Sequence, residues 1–303
     1  MSNTATVLAF DFGASSGRAI RAVYDGQNLT YEEIHRFENV PIEKDGHLCW
    51  DVETLLKEIH TAIQKAGTFD SLGFDTWGVD FGLLDADGHL LANPVHYRDA
   101  RTNGKPEQAA ACMPAEELYA HTGSQIMAIN TLFQLLALQE QESELLQKAE
   151  QILFMPDLFA ALLGAEPVCE RSIASTSQML DPRTGQWSRE VLTAYGLKEN
   201  HFAPLVASGT VTGTLTTGAK IIAVAGHDTQ CASAAMPCAE EDVEHTAFLS
   251  CGTWSLLGTE LDTPILTADS CQSGLSNELG ANGKINYLKN IIGLWLIQES
   301  RRE

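Results

Sequence analysis

Basic residues are scarce in this 303-residue chain: 19 lysines and arginines stand against 40 aspartates and glutamates, a formal charge of -21. Such a field repels the phosphate backbone of nucleic acid and the anionic face of a membrane, so neither is an expected partner. No apolar run approaches the roughly 20 residues of a membrane span, and residues 1–5 lack the charge and length of a signal peptide. A cytoplasmic protein is expected. Cysteine is sparse too, with seven residues at 49, 112, 169, 231, 238, 251 and 271 and no CxxC matched by a second pair downstream. That spacing excludes the usual zinc sites and predicts reduced, mostly buried thiols. The sequon Asn28-Leu29-Thr30 carries no meaning without a secretory route. What remains is the composition of a soluble globular protein, 44% hydrophobic and 19% charged, with length for about two domains.

With so few cations, any phosphate must be held by local N–H groups and a metal. One stretch has that chemistry. Val7-Leu8-Ala9-Phe10 is an unbroken apolar run that predicts a strand buried on both faces, and it ends on Asp11, then Phe12-Gly13-Ala14-Ser15-Ser16-Gly17-Arg18. A carboxylate at the end of a buried strand faces a cleft, where it suits Mg²⁺, an ion that keeps most of its waters and takes one or two carboxylates. Gly13 and Gly17 let the main chain approach a ligand, Ser15 and Ser16 add donors, and Arg18 neutralises phosphate charge. A plain hairpin turn, with Arg18 to Tyr24 returning antiparallel, gives the same local pattern.

Along the chain, Leu48 to Trp50 reads as a short strand. Asp51 then caps a helix with Val52, Leu55, Leu56, Ile59 and Ile63 on one face and Gly67 past its end. Ser71 to Phe74 leads into Asp75-Thr76-Trp77-Gly78-Val79-Asp80-Phe81, so strand, helix and strand follow one another as in an α/β layer fold. Composition makes residues 94–102 a solvated surface loop. Helices are predicted from Pro114 to His121 and from Thr131 past Leu146, a strand over Ile152 to Met155, and a helix capped by Asp157 and ending at Gly164. Residues 171–218 read as a loop-rich excursion with a helix near Arg189 to Tyr195. Ile221-Ile222-Ala223-Val224-Ala225 is a second continuous apolar strand, followed by Gly226-His227-Asp228-Thr229 and a small-residue helix. Residues 247–258 echo the opening: apolar strand, Gly252 and hydroxyls, apolar return. A last helix is expected from Ile285, with Leu288, Ile291, Ile292 and Trp295 on one face. The roughly 60 residues after Pro237 are few for an independent core and would leave open edges and an uncovered face, so the second lobe is expected to be truncated.

Six blocks stand in order: 11–18, 74–81, 96–102, His227-Asp228-Thr229, Cys251-Gly252-Thr253-Trp254-Ser255 and 288–295. Together they resemble the FGGY carbohydrate kinases of the actin, hexokinase and heat-shock chaperone ATPase superfamily. The resemblance implies an α/β fold of two ribonuclease-H-like lobes flanking a nucleotide cleft, with 1–240 the sugar and phosphate lobe and 241–303 the start of the nucleotide lobe. It implies ATP and Mg²⁺ as cofactors and transfer of the γ-phosphate to the C1 hydroxyl of L-rhamnulose, in L-rhamnose catabolism. By analogy Ala14, Ser15, Ser16, Gly17, Arg18 and Thr253 hold the phosphates and Asn290 and Gln298 serve the nucleotide. Gly78, His227, Asp228 and Thr229 line the sugar pocket. Cys251 stands where relatives commonly carry a small or hydroxyl residue, and the family's Gly-Gly nucleotide motif is not in this sequence.

Phosphoryl transfer needs donors on the phosphates, a metal, and a base in reach of the attacking hydroxyl. Asp228 is the expected base, although a carboxylate at a helix start is by itself usually a cap. Asp11 is expected to orient the waters of Mg²⁺, and His227 to contact sugar only. Trp77 walls the pocket or belongs to the core, and Asp80 bonds sugar or serves structurally. The rivals are a kinase of fuculose, xylulose or a related polyol, and a non-catalytic sensor of sugar or nucleotide.

Overall fold

The structure, a computed structural model, describes residues 4–252, 254–294, 297 and 300. In chain order the strands are β1 (Ala5–Phe12), β2 (Ser16–Tyr24), β3 (Leu29–Glu38), β4 (Ile42–Lys44), β5 (His47–Cys49), β6 (Ser71–Thr76), β7 (Phe81–Leu84), β8 (Gln151–Phe154) and β9 (Cys169–Glu170). They continue with β10 (Leu180–Asp181), β11 (Gln186–Trp187), β12 (Leu205–Val206), β13 (Thr210–Thr214), β14 (Lys220–Ala223), β15 (Phe248–Cys251), β16 (Trp254–Leu261), β17 (Ser276–Leu279) and β18 (Ile285–Ile292). The larger sheet runs β13-β14-β6-β1-β2-β3, and β1, β6 and β14 are mutually parallel within it. A second sheet, β15-β16-β18-β17, is antiparallel throughout.

The parallel step from the first hairpin to β6 is made by the helix Val52–Ala66, and its ends follow from its sequence. Asp51 accepts the N–H of Thr54 at 3.2 Å, and Gly67 turns the chain out at φ +66°. Leu55, Ile59 and Ala62 are buried on its inner face. In β1 the apolar run alternates instead of burying both faces: Leu8, Phe10 and Phe12 are fully buried while Ala9 is exposed. Phe12 stacks on Phe159 of the helix Met155–Leu162, with ring centroids 4.8 Å apart, and Phe10 stacks on Phe74 at 4.8 Å. This aromatic layer forms the main core, on one side of the sheet.

Several expectations are corrected. The last helix does not begin at Ile285: Ile285–Ile292 is a strand, paired over its whole length with β16 and on its other edge with β17. A segment between two strands satisfies its backbone on both sides, and that outweighs a helical spacing of apolar residues. Trp295 lies outside the described residues. The helix from Thr131 stops at Gln141 and restarts at Ser143. Residues 94–102 are not a solvated loop, for His96, Tyr97, Arg101 and Thr102 are buried. Asp99 holds that segment in place, accepting the N–H of Leu48 at 2.9 Å and of Arg101 at 2.9 Å. The hydroxyl-rich stretch after Arg171 is core as well. Ser172, Ser175, Thr176 and Ser177 are buried, and the hydroxyls of Ser175 and Thr176 bond the carbonyls of Ser172 and Ile173. All seven cysteines are free, but only Cys49 and Cys169 are buried, the rest lying where one side of the chain stays open.

The outer face of the second sheet is uncovered, as expected: Leu249 and Leu257 face each other across β15 and β16 at 55% and 49% exposure. Among the described residues no helix is long and apolar enough to cross a membrane.

Candidate active site

Parallel strands deliver their C-terminal ends to one edge, and in open α/β sheets that edge is where ligands sit. Here Asp11 of β1 is in register with Asp75 of β6, and Thr76 bridges to His227 beyond the end of β14. The N–H of Thr76 donates to the carbonyl of Gly226 at 2.8 Å, which fixes the turn into the helix Asp228–Ala234. A cavity of about 340 Å³ opens at this edge, with Asp11 and Asp228 on one wall and Ser250, Trp254 and Asn290 of the second sheet on the other.

Two hairpins reach into that cavity, and in each a glycine N–H bonds a carbonyl across the turn. In the first, the N–H of Gly13 donates to the carbonyl of Ser16 at 2.9 Å, and Asn39 straps the turn from below through the carbonyls of Gly13 and Ser15. In the second, the N–H of Gly252 donates to the carbonyl of Trp254 at 2.9 Å. The hairpin and phosphate-loop readings are thus compatible: the first turn is a hairpin, and its tip, Ala14, Ser15 and Ser16, lines the cavity with Arg18. Gly17 is the exception. It is buried beneath the turn, where a Cβ would come within 2.2 Å of the Phe37 ring, so its lack of a side chain serves packing. Thr253 and Gln298 lie outside the described residues. Asn290 lines the cavity from β18, with its Nδ2 donating to Gln125 Oε1 at 3.5 Å.

Charge is graded across the sheet at this edge. Asp75, Asp11, Arg18 and Arg36 occupy one registered row over β6, β1, β2 and β3. Arg18 meets Asp11 at 2.6 Å, and Arg36 pairs with Glu33 at 2.5 Å. Burial, then the charges of Asp11 and Asp228, push the Asp75 carboxyl far above its ordinary range. Asp228 is also raised, chiefly by burial, against the opposing charge of His227 and the N–H of Thr229 at 2.6 Å. Even so, 45% of its side chain stays open to the cavity. A partly accessible carboxylate with a raised pKa is suited to taking a proton near neutrality. For His227, burial alone would favour the neutral ring, but Glu278, with Asp228 and Asp75, lifts it to about 9.

The charges of Asp11 and Asp228 raise the cost of ionising Asp75, that of Asp11 adds to the cost at Asp228, and a divalent cation relieves such crowding. Among the described residues these oxygens do not close to mutual ligand distance, which fits an ion held through its waters, with Asp11 as the side chain that would hold it.

Gly78, His227 and Thr229 all line the cavity. Val79, beside Gly78, is a β-branched residue at φ +67°, strained and held by the Thr176 hydroxyl on its N–H and the Thr131 hydroxyl on its carbonyl. Trp77 serves in both expected ways, lining the cavity and donating to Asp80 at 2.9 Å. Asp80 itself is structural: fully enclosed, it also accepts from Trp50 at 2.6 Å, Gln134 at 2.8 Å and the N–H of Tyr97 at 3.1 Å. Sequence reasoning gave no role to Asp75, Arg36 or Glu278. For Asp75 the signal was present, a carboxylate ending a strand that parallels β1; for Glu278 there was none.

Known proteins resemble this chain in sequence and in fold. Residues 6–234 match the N-terminal domain of the FGGY family of carbohydrate kinases. The chain is 41% identical to a rhamnulokinase of Bacteroides thetaiotaomicron over 97% of its own length and 63% of that protein's. It is 40% identical to a rhamnulokinase of Enterococcus faecalis over 98% of its length and 62% of that protein's. It thus spans about three fifths of the curated relatives it matches. In fold it is similar to a carbohydrate kinase from Novosphingobium aromaticivorans, with a TM-score of 0.79 at 21% identity, over 96% of this chain and 64% of that one. A domain matched over most of the sequence, and two relatives near 40% identity across nearly all of it, establish the kinship: the chain belongs to the FGGY family of carbohydrate kinases.

Proposed function

We propose that this chain carries the phosphate- and sugar-binding part of an ATP-dependent kinase that phosphorylates L-rhamnulose on its C1 hydroxyl. The observation that carries the reading is the setting of Asp228, a proton acceptor opening into a cavity that two glycine-bearing hairpins also enter. The rhamnulokinase names of relatives near 40% identity support the choice of sugar. The domain division that goes with it is 1–240 for sugar and phosphate and 241–303 for the nucleotide side.

In this mechanism the sugar lies against Gly78, His227 and Thr229, with its C1 hydroxyl turned to Asp228, which accepts the proton as the oxygen attacks phosphorus in line. The tip Ala14-Ser15-Ser16 and the facing hairpin hold the phosphates. Arg18 exchanges its pairing with Asp11 for the phosphate oxygens, and Asn290 serves the nucleotide from the second sheet. Held at Asp11, Mg²⁺ would supply charge neutralisation for the phosphates.

A coupled assay of ADP release, run with L-rhamnulose, L-fuculose, D-xylulose and no sugar, tests the reading. Release is expected with L-rhamnulose well above the others. A preference for another ketose would reassign the substrate, and sugar binding with no ADP release would mark a sensor.

A further inference from the structure

We propose that Glu278 is a positioning residue for the proton acceptor: from the second sheet it grips the turn that carries Asp228, and through His227 it sets that carboxylate's aim and charge. The inference rests on the kinase reading for its catalytic consequence and on the geometry alone for its structural part. Glu278 is buried on β17, and its Oε2 accepts from His227 Nδ1 at 2.8 Å and from Gln230 Nε2 at 2.7 Å. The far side of the same ring, Nε2, lies 3.4 Å from Asp228 Oδ1. Carboxylate, imidazole and carboxylate therefore form one chain from the second sheet to the base.

The fit is built rather than incidental. Gln230 continues the link by accepting from Asn286 of β18, which also bonds Ser233 at 2.9 Å, so the helix Asp228–Ala234 is fastened to the second sheet at two side chains besides His227. Its other neighbours carry the same sign of charge. Asp75 of β6 faces His227, Asp11 of β1 faces Asp228, and Glu170 bonds the N–H of Gly226 at 3.1 Å. Nearby Cys231 is held as a neutral thiol by burial and these charges. A cation at His227 is the opposing charge that favours the ionised form of Asp228 in this surrounding, and Glu278 is its closest partner. Geometry thus ties the placement of the second sheet to the readiness of the base.

The test uses Glu278→Gln, which keeps the shape and removes the charge. In the unaltered protein, titration of the His227 ring by ¹⁵N NMR is expected near 9, and in the variant it falls back toward 6.5. The acid limb of the kcat profile moves to higher pH, so that kcat at the acid end drops about tenfold per unit moved, with little change in KM for ATP. Because Glu278 acts through the ring, adding Glu278→Gln to His227→Gln costs no further activity. An ordinary His227 titration in the unaltered protein overturns the proposal, and this reading needs no variant to fold. Equal losses in both backgrounds also overturn it, by making Glu278 merely structural. Absence of ADP release with every sugar would instead sink the kinase reading, and the ring titration would still decide the pairing.

Discussion

Two carboxylates, 148 positions apart in sequence numbering, show how partners decide a residue's role. Asp228 has one side open to the cavity and a cation at its back, and it is free to exchange a proton with a ligand. Asp228→Asn is expected to lower turnover by about 10²–10⁴-fold, the usual contribution of a positioned base, while sugar binding followed by tryptophan fluorescence survives. Near-normal ADP release from that variant would remove it as the base. Asp80, by contrast, spends its oxygens on Trp50, Trp77, Gln134 and the N–H of Tyr97, and burial outweighs these donors to bring its carboxyl up to about 6. A carboxyl raised from 3.8 binds its proton more tightly folded than unfolded. Its contribution is therefore complete below 3.8 and is lost as pH rises through about 6. Over that window the unaltered protein should lose stability relative to Asp80→Asn, on the order of 3 kcal/mol. Urea denaturation of both proteins at several pH values measures it, and parallel curves would refute the assignment.

At the scale of elements, the phosphate hairpin depends on what lies beneath it. Gly17 sits on the Phe37 ring, itself packed edge-on to Phe12 with centroids 5.3 Å apart, so the ring has little room to retreat. Gly17→Ala is expected to destabilise the protein by about 1–3 kcal/mol, the usual cost of overpacking, and to lower its melting temperature. Pairing it with Phe37→Leu, which clears the ring, should recover most of that loss; a loss that persists would place the cause elsewhere. The hairpin itself was legible because its signals are local: an apolar run, a carboxylate, glycines and an apolar return. The same holds for the capped helix Val52–Ala66 and for the handover from β14 to Asp228. What could not be read is what depends on distant partners. Residues 94–102 look solvated until Asp80, Trp50 and Leu48 are seen to receive them, and 285–292 look helical until β16 and β17 are seen on either side. Gly17 was read for phosphate because composition does not reveal Phe37 below it.

At the scale of the molecule, β17 joins the second sheet to the turns and helices beside the first. The N–H of Asn277 donates to the Gly123 carbonyl at 2.8 Å, that of Leu279 to the Ser175 hydroxyl at 3.0 Å, and the Ser276 hydroxyl accepts from Gln125 N–H at 2.9 Å. The cavity draws walls from both sheets, so a ligand filling it binds the assembled form and not the unfolded chain. Linkage then converts occupancy into stability, by about 2.7 kcal/mol at a hundredfold excess over Kd, enough to raise the melting temperature by a few degrees. The charge balance adds a condition. A chain at -21, with Asp11, Asp75 and Asp228 at the site, opposes a polyphosphate, and Arg18 and Arg36 are already paired with Asp11 and Glu33. ATP with excess Mg²⁺ is therefore expected to raise the melting temperature, and the same ATP in EDTA to raise it far less. Replacing Asp11 with asparagine should shrink the difference between the two conditions, because the side chain that would hold the ion has lost its charge. An equal shift with and without the metal would mean that the hairpins and arginines suffice, and that Asp11 does not serve the ion.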